Sequence, residues 1–221
     1  MRILAFECSS ERRSVAALDT GQPARAAVAV VDGGRHTPVF HLIEEALARA
    51  GLEREAIDTV AVGLGPGSYT GIRLAISVAQ GWQLAREVRL VGLSSMEGLA
   101  RRAVEVGWEG MVSFGIDAQR KEFYLARYDL GAGGARNIEP LRLVGAEEIK
   151  ARLARGEVVA GPELGRGGVG GRELFPDALT LARMVSEKAA NALGEPLEPI
   201  SLRATNFVKV SPTFPDQAAP S

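Results

Sequence analysis

Apolar residues along this chain fall into runs of two different periods, and the periods predict the elements. Ile3 to Phe6, Ser14 to Leu18 and Ala24 to Val31 are short apolar runs separated by turns such as Asp19-Thr20-Gly21-Gln22. Runs this short, joined this closely, read as three strands of an antiparallel meander. From Thr37 to Ala50 the period becomes helical. At about 100° per residue, Val39, Phe40, Leu42, Ile43, Ala46, Leu47 and Ala50 cover roughly 160° of the wheel, wider than the ~100° that one neighbour requires. The surplus lies at Phe40 and Leu47 on one flank and Leu42 on the other, while His41, Glu44, Glu45 and Ala48 form the wet face.

Val60-Ala61-Val62-Gly63-Leu64 is a short apolar strand pattern, and Gly65-Pro66-Gly67-Ser68-Tyr69-Thr70-Gly71 breaks it sharply. Thr70 is a suitable N-cap for a helix that starts near Gly71 or Ile72 and runs to Arg86. A strand ending in a glycine turn that opens a helix points free backbone N–H groups upward. Gly65, Gly67, Ser68, Thr70 and Gly71 are therefore a possible phosphate-facing turn. The alternative is that the glycines only allow a tight turn and close packing. The spacing matches neither a Walker loop nor the dinucleotide fingerprint. The helix itself is apolar almost all round. Its weakly polar side carries Arg73, Ser77, Gln80 and Gly81, with Leu84 in the middle. Such a helix is expected to be covered on more than one side, by this chain's own layers or by another subunit.

Arg89 to Leu93 is the next strand, and Ser94 or Ser95 caps a helix to about Val106. The order β-β-β-α-β-α-β-α predicts a mixed five-stranded sheet with helices outside, the ribonuclease-H-like order. Met111 to Ile116 and Glu122 to Tyr128 form a second strand pair around the turn Asp117-Ala118-Gln119-Arg120-Lys121. A linker at Gly131 to Gly134 follows, then a short strand at Leu141 to Val144, a charged helix at Ala146 to Ala154 and a strand at Val158 to Ala160. Gly161 to Gly171 holds six glycines, and Leu179 to Leu193 is the last clear helix. From Glu195 onward the chain carries five of its eleven prolines and reads as loosely tethered. The second half has the element order of a reduced copy of the first. The domains are thus expected at 1–106, a ribonuclease-H-like lobe, and 107–203, a reduced lobe, with a flexible tail at 204–221.

Composition narrows the function. The chain has 221 residues, 46% of them apolar, and a net charge of -1, so neither a nucleic acid nor a membrane is strongly attracted to the whole. The single cysteine, Cys8, excludes an internal disulfide and reads as a small buried residue. The start Met1-Arg2-Ile3-Leu4-Ala5-Phe6 shows no signal-peptide pattern and no stretch is long enough to span a bilayer, so a cytoplasmic protein is expected. His36 and His41, the only histidines, are five apart and face away from each other, which argues against a histidine-built metal site. Glu7, Asp58 and Asp117 lie near strand ends, as the carboxylates of a two-metal nuclease would.

Several stretches together carry a resemblance. Gly65-Pro66-Gly67-Ser68-Tyr69-Thr70-Gly71-Ile72-Arg73 is very similar to the GPGSFTGLR segment of the TsaB (YeaZ) family. The opening strand, the helix beginning at His36-Thr37, Ile116-Asp117-Ala118 with Glu122-Phe123-Tyr124, and Pro199…Leu202-Arg203 agree with that family. The match is good over about residues 1 to 130 and loose beyond.

The resemblance implies an α/β fold of the actin/Hsp70-like (ASKHA) type, two ribonuclease-H-like lobes with the second reduced. It implies a non-catalytic subunit required for threonylcarbamoyl transfer to adenosine 37 of tRNAs that read ANN codons. The implied partners are the catalytic paralogue TsaD and the ATPase TsaE, with tRNA met only through the complex and a homodimer formed in isolation. The resemblance implies no cofactor for this chain; ATP or ADP and a metal belong to the partner subunits. TsaD-like chains carry a His-Met-Glu-Gly-His metal pair, and here Ser95-Met96-Glu97-Gly98-Leu99 keeps the frame without the two ligands. Glu7 stands where relatives usually carry aspartate, which counts against a working phosphate loop, and Ser201 where they often carry tyrosine. The partner interface is assigned to Thr37, Phe40, Glu44 and Leu47 with Arg73, Ser77, Gln80 and Leu84, as a four-helix seam between like folds. The competing assignment is a stand-alone ATPase or small-molecule kinase of the same superfold.

Overall fold

The apolar run at the start forms β1 (Arg2–Glu7), whose residues from Ile3 to Glu7 are all buried. A strand buried on both faces belongs in the middle of a sheet covered by helices on either side. The computed structural model, which describes residues 1–33, 37–165, 168–187 and 197–202, places it there. Around it lie β2 (Arg12–Asp19), β3 (Ala26–Asp32), β4 (Thr59–Gly63) and β5 (Arg89–Leu93) in the order β3-β2-β1-β4-β5. The β1/β2 and β2/β3 pairs are antiparallel, and β1/β4 and β4/β5 are parallel, the mixed sheet that the element order predicts.

One face of this sheet presents Leu4, Phe6, Val15, Ala17, Val60 and Val62 to two helices, α1 (Val39–Ala50) and α2 (Tyr69–Ala85). Helix α1 starts two residues later than the spacing predicts, and Gly51, in the left-handed region at φ 63°, closes it. Helix α2 starts earlier than predicted. Ser68, not Thr70, is its N-cap, with the side-chain oxygen accepting from the Gly71 N–H at 3.3 Å.

The second sheet contains β6 (Gly110–Asp117), β7 (Glu122–Gly131), β8 (Gly134–Gly145), β9 (Val158–Gly161) and β10 (Arg172–Glu173). Its order, β10-β9-β6-β7-β8, reproduces the first sheet with β6 in the place of β1. Helix α4 (Ala146–Ala154) stands where α1 stands in the first sheet. The stretch 162–171, between β9 and β10, forms no helix among its described residues and occupies the place of α2. Gly131 to Gly134 is not a linker: the two residues pair across a tight hairpin turn, and β8 runs through twelve residues rather than only Leu141 to Val144. Strand β10 sits at the end of the glycine-rich stretch, where its two exposed residues carry no apolar period to reveal it.

Two helices exchange sheets. Helix α3 (Ser95–Glu105), capped by Ser94, lays Met96, Leu99, Ala100 and Ala103 on the second sheet. Helix α5 (Ala178–Glu187) lays Ala178, Leu181, Ala182 and Val185 on the free face of the first. They touch where Gly98 leaves room for Leu181; a Cβ there would lie 2.8 Å from Leu181 Cδ2. Thr180 Oγ1 donates to Glu105 Oε2 at 2.7 Å across the same contact. A cut between residues 106 and 107 would therefore strip each sheet of a helix that covers it. The predicted end of the last helix, the Arg203 element and the tail 204–221 lie outside the described residues.

Over the second sheet, Arg152 on α4 is buried and gathers Glu139 (2.6 Å), Glu157 (3.2 Å), Glu148 (3.3 Å) and the Ser113 hydroxyl (3.1 Å). Its guanidinium holds the Glu139 carboxyl below the usual carboxylate range. Arg152→Met should leave three carboxylates without their common partner. We expect a loss of about 2–3 kcal/mol in urea unfolding, less than the ~3–5 kcal/mol of a wholly buried pair because the glutamates keep some water.

Candidate functional site

The glycine turn spends three of its donors inside the protein. Gly65 N donates to Ser95 Oγ (3.0 Å), Ser68 N to Ser9 O (2.6 Å), and Gly71 N to the Ser68 cap. A Cβ on Gly67 would stand 2.1 Å from Ser9 O, and one on Gly71 2.0 Å from Cys8 O. The two glycines let the start of α2 lie directly on the backbone that follows β1. Close packing is thus what the turn achieves. Of the phosphate-facing set, Gly65 and Gly71 are buried and Thr70 is at the surface.

Beneath the turn Glu7 is wholly buried, with Oε1 accepting from Ser9 N at 2.8 Å and Oε2 without a partner among the described residues. Burial raises its pKa above the ordinary 4.5. The neighbouring Cys8 thiol is pushed up to about 12 by burial and by Glu7, which leaves it protonated and inert. The nuclease-type carboxylates are not brought together. Asp58 accepts from Arg2 N at the opposite end of β1, and Asp117 ends β6 in the other sheet. Ser95 and Leu99, the positions of the implied metal pair, are both fully buried, Ser95 bonded to Gly65 N and Leu99 in the core of the second lobe. They do not fit a metal, and no group of three His, Cys, Asp or Glu among the described residues could hold one. His41 is exposed beside Glu45, and His36 lies outside the described residues.

A cleft of about 430 Å³ separates the lobes, between Ser10, Glu11, Arg13 and Ser68 on one side and Asp117 and Glu163 on the other. Glu163 Oε1 accepts from Glu11 N across it at 3.0 Å. Three carboxylates against one arginine make a poor host for a nucleotide's phosphates.

The open apolar surface is elsewhere. A groove of about 880 Å³ runs between α1 and α2, lined by Phe40, Ile43, Glu44, Val78, Trp82 and Ala85 among others. Phe40 is 72% exposed at one edge and Leu84 is 91% exposed on α2. Arg73, Ser77, Gln80 and Leu84 form one exposed stripe, so α2 is bare on one side within this chain rather than covered on two. Arg73 stacks on the exposed ring of Tyr69. Glu44 is exposed and pairs with Arg54. Two assigned residues behave differently. Leu47 is buried in this chain's own core and is not available to a partner, because α1 uses that flank of its stripe against the sheet. Thr37 precedes α1, half-buried, and its hydroxyl accepts from Arg13. Trp82 and Ala85 went unassigned from sequence, although they extend the Val78 face by helical spacing.

Glu7 sets a pH dependence. The fold favours its neutral acid, so its contribution to stability is full below the unfolded value near 4.5 and is lost as pH rises through the higher folded value. Glu7→Gln should raise the melting midpoint at pH 8 by about 2–4 °C and flatten the gain on acidification, read by thermal unfolding across pH.

No helix among the described residues is long and apolar enough to cross a membrane. Comparison with known proteins then identifies the relatives. The family model for TsaD, tRNA N6-adenosine threonylcarbamoyltransferase, matches residues 29–149. The tRNA threonylcarbamoyladenosine biosynthesis protein TsaB of Escherichia coli K12 is 30% identical over 220 residues, which cover 92% of this chain and 95% of that one. TsaB of Haemophilus influenzae is 31% identical over 128 residues, 58% of this chain and 53% of that one. The solved structure of YeaZ from Pseudomonas aeruginosa superimposes with a TM-score of 0.74 at 26% identity, covering 91% of this chain and 99% of that one. Matched in sequence over nearly its whole length and in its fold of two five-stranded sheets, this chain belongs to the TsaB (YeaZ) family.

Proposed function

We propose that this chain serves threonylcarbamoyladenosine formation on tRNA as a subunit without chemistry of its own, by seating the catalytic paralogue TsaD on its α1/α2 face. The observation that carries the reading is the bare groove flanked by Phe40 and Leu84. An apolar face of this kind on one lobe fits a like-folded partner that offers its own equivalent helices, so that four helices close one seam. The TsaD family model matching this chain supports a partner of the same fold. Transfer to adenosine 37, the metal and the ATP or ADP then fall to TsaD and to TsaE, and this chain meets tRNA only in their company. Alone, the same face closes on a second copy. The inert Cys8, the buried Ser95 and Leu99 and the self-satisfied glycine turn favour this over a stand-alone kinase or ATPase.

Burying Leu84 in such a seam is worth about 2–3 kcal/mol, and an arginine there leaves a charge unpaired. Leu84→Arg should weaken co-purification with TsaD by about 100-fold or more, while circular dichroism shows an unchanged monomer because the side chain is free of its own core. Undiminished binding by a folded Leu84→Arg chain would refute the assignment.

A further inference from the structure

The hairpin joining β6 to β7 turns through three successive residues with positive φ: Gln119 at 62°, Arg120 at 57° and Lys121 at 64°. In this left-handed region an L-residue's Cβ crowds the carbonyl that follows, and glycine is the residue that relieves it. The chain has 26 glycines and places none here. Gln119 is used locally: its N–H donates to Asp117 Oδ1 at 2.7 Å and its carbonyl accepts from Glu122 N at 3.1 Å. Arg120 and Lys121 have no such use. Both are exposed, and neither has a side-chain hydrogen bond, ion pair or ring contact among the described residues. Arginines elsewhere are engaged, for example Arg12 with Asp32, Arg136 with Asp129 and Arg155 with Glu157. Two adjacent unpaired cations on a strained turn are what a site for an absent anion looks like.

Position narrows the ligand. The tip borders a cavity of about 810 Å³ that also touches Lys150, whose ammonium is held by Glu147, and the carboxylates Glu11, Asp117 and Glu163. With four carboxylates against three cations the cavity is no anion pocket, so a phosphate is to be met at the tip and not inside it. Gln119 and Asp117 of the same hairpin reach the interlobe cleft, whose other wall is Ser68 and Tyr69 at the start of α2. The apolar groove uses Ser77 to Arg86 at the far end of that helix, roughly 12–25 Å along it at 1.5 Å per residue. The groove and the two cavities by the tip share no lining residue. Apart from Tyr69 across the cleft, whose ring carries Arg73, no large apolar side chain lining these two cavities is exposed, as a protein contact would want.

We propose that Arg120 and Lys121 contact the phosphate backbone of the tRNA substrate in the assembled complex. The inference rests on the subunit reading above. Two cations held on a rigid turn supply position and affinity without reading sequence, and they act only in company because this chain's net charge is -1.

The test is tRNA binding by the complex of this chain with TsaD and TsaE, followed by fluorescence anisotropy through a potassium chloride titration. With Arg120→Gly and Lys121→Gly together, we expect about tenfold weaker binding near 0.15 M salt. The slope of log affinity against log salt should shrink by about 1–2, the signature of one or two lost phosphate contacts. The same double variant should melt a few degrees higher alone, because the strain is gone, and should co-purify with TsaD as before. Arg120→Glu with Lys121→Glu keeps the strain and should bind tRNA weaker still. An unchanged salt slope overturns the inference and leaves the subunit reading standing. Loss of TsaD co-purification by the double variants also overturns it, since the tip would then be a protein contact. A wild-type chain that never co-purifies with TsaD sinks the subunit reading and this inference together.

Discussion

The approach of the Gly67 and Gly71 backbones to the carbonyl oxygens of Ser9 and Cys8 sets the geometry on which the rest is built. Any side chain at either glycine would stand about 2 Å from an oxygen. Because none does, Ser68 N reaches Ser9 O, the Ser68 hydroxyl caps the helix, and α2 starts on top of β1. The direction of α2 then follows from β4, and with it the width of the groove against α1. The same contact takes up the Ser68 N–H, while Ser95 and the Ser68 hydroxyl take up those of Gly65 and Gly71, so the turn acts as a clamp within the fold.

A second constraint is the crossing of α3 and α5. Each covers the sheet built by the other part of the chain, and Gly98 lets them meet. The lobes share their helical layer on that side, which leaves the α1/α2 face as the surface still open. The positions that resemble a metal pair lie at the start of α3. There Ser95 ties the glycine turn to the helix and Leu99 fills the core of the second lobe. What would be an open coordination site in a chain with the two histidines is packing here. Glu7 is the residue in this region that fits least well, a carboxyl buried under the turn with one oxygen unpaired.

The periodic parts of the fold were legible. The five strands and three helices of the first half, the hairpin at Asp117 and helix α4 all follow from runs of apolar residues at period 2 or 3.6, which depend only on neighbours in sequence. The exposed stripe Arg73, Ser77, Gln80 and Leu84 was likewise visible on the helix wheel. Errors came where a distant part of the chain decides. Ser68 rather than Thr70 caps α2 because the turn is drawn down onto Ser9. Gly131 to Gly134 reads as a linker until β7 and β8 pair across it, and β8 is longer than its apolar core because its partner strand satisfies the polar residues' backbone.

By itself the sequence determined the element order of the first half and the family, since these rest on local pattern and residue identity. Only the tertiary structure decided that Leu47 faces inward while Leu84 faces out, that the glycine turn serves packing, and that α3 and α5 trade sheets. The reason is physical: a helix wheel shows which residues share a side, and which side is covered depends on what the rest of the chain, or another chain, lays against it.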